Sequence, residues 1–204
     1  QSHIKYSKMK LNYDLNLKSL NNQSEKIIFE DFNFIIKAFP LKHSVYTNGF
    51  RIEEKKKRRK LLIEKAIEYK IDRIYFNKLT KSENVFNEDG EEIDYTKVTT
   101  EGPKSKTFAY CSDTAYFDKL VDYIKCVDLL YCETTFLEKD RDKALSTLHS
   151  TTIDAAKLAN KGEVKQLLIG HFSSRYDDYS IFLKEVALIF DNVTLCEEGK
   201  NIKV

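Results

Sequence analysis

Two runs early in the chain alternate at period two. Lys26-Ile27-Ile28-Phe29-Glu30 reads as one strand, and Phe32 to Leu41 as a second, joined to it by a tight turn. In the second run Phe32, Phe34, Ile36 and Ala38 alternate with Asn33, Ile35, Lys37 and Phe39. One face is apolar and the other mixed, as a strand in a packed sheet requires. Thr47 to Glu53 predicts a third strand, and the polar stretch Gln1 to Asn22 a helix, or a helix and a loop. After Pro103 strands and helices alternate. Strands are predicted at Thr107 to Cys111, Val127 to Cys132 and Val164 to Gly170. Helices are predicted at Tyr116 to Ile124, Asp140 to Leu148, Thr151 to Lys161 and Asp177 to Phe190. Ala155, Ala156 and Ala159 mark the packing side of the third helix, and Gly162 its stop. Short runs at Val193 to Cys196 and Asn201 to Val204 end the chain. This alternation predicts α/β layering.

The segment between these regions has a different texture. It opens with Lys55-Lys56-Lys57-Arg58-Arg59-Lys60 and continues through a helical stretch, Leu61 to Tyr69, with Leu62, Ala66 and Tyr69 at helix spacing. Tyr75 to Lys78 and a turn at Asp89-Gly90 follow, and Gly102-Pro103 closes it. Low apolar density and charged ends predict an inserted arm. Three regions result: 1–53, the arm 54–103, and 104–204.

Composition narrows the function classes. With 204 residues and 42% hydrophobic content, the chain can bury a core and is not a disordered tail. No apolar run approaches the ~18–20 residues of a membrane span, and no secretory leader is read at the start, so no membrane association is expected. Charged residues make up 32%, yet the formal net charge is +2, so a polyanion would have to be met by a local basic patch. Cys111, Cys126, Cys132 and Cys196 lack a disulfide-framework spacing and are expected to be reduced thiols of a cytoplasmic protein.

Polar residues of chemical interest follow the predicted strands. They are His43-Ser44, Ser112-Asp113-Thr114, Glu133-Thr134 and His171, with His149 in a loop between two helices. Ligands of open α/β sheets bind beyond the strand ends. Imidazole and carboxylate suit Zn²⁺, and a carboxylate can bridge two cations ~3.5–4 Å apart. The same residues admit a plainer reading. A His after a strand can be a hydrogen-bonded surface residue, and Ser-Asp-Thr before a helix can be an N-cap.

Longer strings carry more. Phe108 to Tyr116, Val127 to Tyr131 with Glu133 to Leu137, His149-Ser150-Thr151, Leu167 to Tyr176, and Phe39 to Ser44 followed by Gly49-Phe50 together resemble the signatures of ribonuclease Z. The resemblance runs from about Lys26 to the end. It implies an α/β fold of the metallo-β-lactamase type, an αββα sandwich of which this chain is the C-terminal portion with an inserted arm. It also implies a two-zinc endonuclease that removes the 3′ trailer of precursor tRNA, cytoplasmic and homodimeric. By motif, His43, Asp113 and His171 match metal ligands, with Asp113 as the bridge. Glu133 and His149 match the pair that assists proton delivery to the leaving oxygen. Ser173 and Arg175 would hold substrate phosphate, and Lys55, Lys56, Lys57, Arg58, Arg59 and Lys60 on the arm would dock tRNA.

Two departures qualify the implication. The usual His-Glu-Ala-Thr box reads Cys132-Glu133-Thr134-Thr135, and the His-x-His-x-Asp-His metal motif is not among these residues. That motif is expected on a portion preceding Gln1, so the chain by itself is expected to bind zinc poorly and turn over little. Two other readings stay open: a non-catalytic RNA-binding fragment, and a related hydrolase acting on another phosphodiester.

Overall fold

The computed structural model describes residues 12–204. Residues 1–11 of the segment expected to begin with a helix lie outside it, and 12–22 contain neither helix nor strand. The first three strands form an antiparallel meander: β1 (Lys26–Glu30), β2 (Phe34–Pro40) and β3 (Asn48–Glu54). Asp31 makes the β1–β2 turn, its Oδ1 accepting from the backbone N–H groups of Asn33 and Phe34, both at 2.7 Å. Phe32, expected in the second strand, belongs to that turn and is 98% exposed. Gly49 is required opposite Phe39, because any Cβ there would run into the buried Phe39 ring.

The chain then leaves the sheet and returns only at Thr107, where Glu53 pairs with it again. The excursion contains β4 (Lys60–Leu61), α1 (Ile63–Glu68), a 3₁₀ turn (Arg73–Tyr75), α2 (Phe76–Thr80), β5 (Val85–Phe86), β6 (Glu92–Ile93), α3 (Tyr95–Val98) and β7 (Thr99–Thr100). β4 pairs with β7 and β5 with β6. Despite its low apolar density this segment closes a core of its own from Ala66, Ile71, Leu79, Val85, Ile93 and Val98. The basic run at its entrance is irregular, with only Lys60 in a strand, so it is not the start of a helix.

The remainder adds β8 (Thr107–Cys111), α4 (Leu120–Ile124), β9 (Leu129–Glu133), a 3₁₀ turn (Glu138–Asp140), α5 (Arg141–Thr147), α6 (Thr152–Lys161), β10 (Gln166–Gly170), α7 (Ser180–Ala187) and β11 (Val193–Leu195). Residues 201–204 are irregular. The main sheet has seven strands in the order β1-β2-β3-β8-β9-β10-β11, antiparallel through β8 and parallel from β8 onward. Register places Ala109, Leu130 and Leu167 in one row across β8, β9 and β10, and Cys111, Cys132 and Ile169 in the next. Both rows share a face, because residues two apart on a strand point the same way. They pack with Leu120, Ile124, Ala155, Leu158, Ala159, Phe182 and Val186 of α4, α6 and α7. Cys132, where the resemblance expects a histidine, is thus a fully buried core residue, and burial pushes its thiol pKa far up. α6 starts on a capping box between Thr151 and Asp154.

Asp128 ties the strand starts together. Its Oδ2 accepts from the Thr107 N–H (2.8 Å) and hydroxyl (2.9 Å), and Lys165 Nζ reaches its Oδ1 at 2.6 Å. Burial raises the Asp128 carboxyl's pKa, but Lys165 and Thr107 outweigh it and the group sits below its ordinary value. A carboxyl depressed on folding stabilises above its unfolded pKa and loses that contribution as pH falls through the folded one. Replacing Asp128 with Ala should cost about 1–3 kcal/mol at neutral pH. Urea unfolding should show the difference from wild type shrinking in acid.

Candidate metal and proton-transfer site

β2, β8, β9 and β10 run in the same direction, so their C-terminal ends open on one edge of the sheet. Backbone bonds stitch the loops there into a single rim. Ala115 N–H donates to Lys42 O (2.9 Å), Thr134 N–H to Gly170 O (2.8 Å), Ser173 N–H to Thr135 O (3.1 Å) and Thr152 N–H to Phe136 O (2.9 Å). Ser150 Oγ adds a 2.6 Å bond to Thr114 O, joining the loop between α5 and α6 to the loop after β8. The rim brings His43, Asp113, Glu133, His149 and His171 into one neighbourhood.

Glu133 lies at the bottom with no solvent exposure. Its Oε1 accepts from the Thr114 N–H (3.0 Å) and His149 Nδ1 (2.7 Å); its Oε2 accepts from the Thr135 N–H (3.0 Å) and hydroxyl (2.7 Å). Four donors replace the water the carboxylate has lost, which an unpaired buried charge could not do without. The hydrogen bond from His149 to Glu133 raises the His149 pKa above its ordinary value; burial opposes it, and Asp113 adds to it.

The other two imidazoles are anchored in the same manner by different partners. His43 Nδ1 donates to the Leu148 carbonyl at 3.1 Å, and Leu148 takes a left-handed backbone (φ 57°) at the end of α5. His171 Nδ1 lies 3.0 Å from Thr135 Oγ1, on a residue that is itself left-handed (φ 61°) at the end of β10. A non-glycine residue rarely adopts that conformation, and such strain concentrates at functional positions. The rings of His43 and His149 lie 4.9 Å apart, and those of His149 and His171 5.4 Å.

Asp113 Oδ1 faces His171 Nε2 at 3.4 Å and accepts from Ser112 Oγ at 3.0 Å. Burial raises the Asp113 pKa, but Ser112 and the neighbouring histidines bring it below the ordinary value. α4 begins only at Leu120, so Asp113 caps no helix and the N-cap reading of Ser-Asp-Thr fails. Asp113, His149 and His171 offer ligand atoms within 4.8 Å of one another. This is a nitrogen-and-oxygen donor set that suits zinc, and with each Nδ1 engaged, each imidazole keeps Nε2 free. His43 is not one of these three; its ring lies tilted against that of His149 instead.

Arg175 is exposed and makes no ion pair among the described residues. Its Nε donates to Ser173 Oγ (3.0 Å) and its guanidinium lies 4.9 Å from the Phe136 ring centroid. Within the basic run, Lys55 pairs with Glu30, Lys57 with Glu54, Arg58 with Asn77, and Arg59 with Thr99. Lys56 and Lys60 are exposed without such partners among the described residues. The sequence pattern gave no role to Thr135 or Phe136. Their signal lay in plain view, since both closely follow Glu133, but nothing in the string says which side chains turn toward the histidines.

No family model matches the chain. It is 33% identical to the ribonuclease Z of Bacteroides thetaiotaomicron over 194 residues, covering 95% of this chain and 61% of that protein. It is 36% identical to the ribonuclease Z of Cytophaga hutchinsonii over 205 residues, covering 100% and 65%. The chain therefore spans a little over three fifths of the length of these curated relatives. Among solved structures, the metallo-β-lactamase fold protein YhfI of Bacillus subtilis superposes with a TM-score of 0.55 at 17% identity, over 84% of this chain and 49% of that one. Human tRNase Z, short form, superposes with a TM-score of 0.51 at 21% identity, over 88% and 47%. The chain has the metallo-β-lactamase fold and, over nearly its whole length, is homologous to the ribonuclease Z proteins.

Proposed function

We propose that these residues form part of the active site of a zinc-dependent endonuclease that removes the 3′ trailer from precursor tRNA. The observation that carries the proposal is the buried Glu133 holding His149 beside Asp113 and His171. His43, Asp113 and His171 would hold zinc, Asp113 as the bridging carboxylate of a two-metal site. Bound there, zinc would supply Lewis-acid charge for phosphodiester hydrolysis. Two such ions take more protein donors than these three residues provide, so the chain alone should hold zinc weakly.

The protein's own part is proton and phosphate handling. Glu133 fixes the Nδ1–H of His149, leaving Nε2 as the atom that gives a proton to the leaving 3′ oxygen. Glu133 also favours the imidazolium, so the acid is charged when needed. Arg175, held by Ser173 and Phe136, would grip a phosphate near the cut. At the arm's root Lys56, Lys57, Arg59 and Lys104 line one cleft with Glu101, and the basic run would dock the tRNA there. Cytoplasmic location and homodimerisation belong to the same reading and rest on the resemblance. No helix among the described residues is long and apolar enough to cross a membrane.

His149 has a second reading, because it also lies within ligand distance of Asp113 and His171. His149→Ala separates the two roles. A proton donor's loss cuts turnover and leaves zinc affinity unchanged; a ligand's loss lowers both. Proton delivery is expected, with turnover down about 10²–10⁴-fold.

Asp113→Ala should abolish metal-dependent cleavage of precursor tRNA by the natural protein, and retained cleavage would sink the site assignment. Glu133→Gln removes the anionic partner of His149 and should shift that imidazole's NMR titration to lower pH. By linkage, His149, whose pKa rises on folding, stabilises the fold below its unfolded pKa and ceases to as pH rises through the folded value. Removing Lys56 and Lys60 together should flatten the salt dependence of tRNA binding by about 1 for each phosphate no longer neutralised. A salt titration by gel shift reads this, and an unchanged slope and affinity would refute the docking role.

A further inference from the structure

Thr135 sits where one hydroxyl serves three functional side chains. Its Oγ1 lies 2.7 Å from Glu133 Oε2, 3.0 Å from His171 Nδ1 and 3.3 Å from His149 Nδ1. A threonine hydroxyl has one proton to give and lone pairs to accept with. Glu133 Oε2 is the nearest partner, is buried, and as a carboxylate can only accept. His149 Nδ1 already spends its proton on Glu133 Oε1 at 2.7 Å. The hydroxyl proton therefore goes to Glu133, and Thr135 Oγ1 can only accept from His171. In the neutral ring that places the His171 proton on Nδ1 and a lone pair on Nε2, facing Asp113 Oδ1 at 3.4 Å. Two acceptors then face one another across a gap that a cation satisfies. The His171 side chain is 44% exposed, and among the described residues Thr135 is the only neutral group that hydrogen-bonds its ring, so little else holds it in place.

We propose that Thr135 is a positioning residue: by passing its proton to Glu133 and accepting from His171 Nδ1, it fixes the tautomer and orientation in which His171 can bind zinc. The inference rests on the zinc reading of the site, yet its first consequence concerns the metal-free protein. Thr135 is 7% exposed, and valine has nearly its shape without the hydroxyl. In Thr135→Val, His171 Nδ1 loses its acceptor while the backbone bond from residue 135 to Glu133 remains. Thr135→Ser keeps the hydroxyl.

Two-bond nitrogen–proton NMR of the histidine rings in the metal-free chain reads the tautomer directly. Wild type and Thr135→Ser should show His171 protonated at Nδ1, and Thr135→Val should move toward the Nε2–H form. Zinc affinity of the natural protein, by competition with a chelator, should fall about 10-fold or more in Thr135→Val, the usual cost of losing the group that orients a ligand, and should return in Thr135→Ser. A wild-type His171 carrying its proton on Nε2 would overturn the proposal even if Thr135→Val failed to fold. So would a folded Thr135→Val with wild-type tautomer and zinc affinity. Expected tautomers together with a natural protein that does not cut precursor tRNA refute the nuclease reading and leave this one standing.

Discussion

A carboxylate with no access to water governs the arrangement of this molecule's functional edge. A carboxylate buried this fully needs a donor for every lone pair it turns inward. The donors to Glu133 come from three places: the loop after β8, the residues just past β9, and the loop between α5 and α6. Each loop must close on Glu133 to complete the set. Closing them also delivers Asp113, Thr135 and His149 to one spot. The chemistry of the rim and the packing of its loops are thus one requirement. His171 and Arg175 around it are exposed.

The sheet makes that closure possible. Parallel pairing of β8, β9 and β10 aligns Cys111, Cys132 and Ile169 as the last core row before the rim. A one-residue slip of β9 would send Glu133 to the opposite face and Cys132 to the edge. The buried cysteine fills the row like any small apolar side chain. Glu133 follows it as the last residue of β9, and the site begins where the core ends.

Period-two alternation and apolar runs made the strands and most helices legible, because burial of one face imposes those patterns. The ends were less so. Phe32 continues the alternation of β2 yet falls in a turn that Asp31 dictates. Residues 116–119 have helical composition, but Ala115 just before them is bonded to Lys42 O, the Tyr116 and Asp118 side chains are tied to Lys161, and α4 waits until Leu120. The basic run has the composition of a helix start; ion pairs to Glu30 and Glu54, and backbone bonds from Lys55 to Asn33 O and Arg59 to Thr80 O, tie it to its neighbours without a helix. The arm's core was not legible because its six apolar residues come from six separate elements and turns, with no periodic stretch among them. At the site, the charged and imidazole residues were legible from their place after strands. Thr135 was not, since a hydroxyl's importance lies in what it touches across the fold.

The three imidazoles use Nδ1 alike but spend it on unlike partners. His43 gives its proton to a backbone carbonyl, His171 to a hydroxyl, His149 to a buried carboxylate. A neutral acceptor on Nδ1 fixes the ring and leaves Nε2 as the atom by which a neutral imidazole binds a cation. A carboxylate instead favours the protonated ring, the state in which Nε2 can give a proton away. Asp113 reinforces this division by adding negative charge near His149 and by facing the bare Nε2 of His171. Identical side chains a few ångströms apart are therefore suited to opposite tasks. The difference lies in one buried acid and the threonine two residues after it.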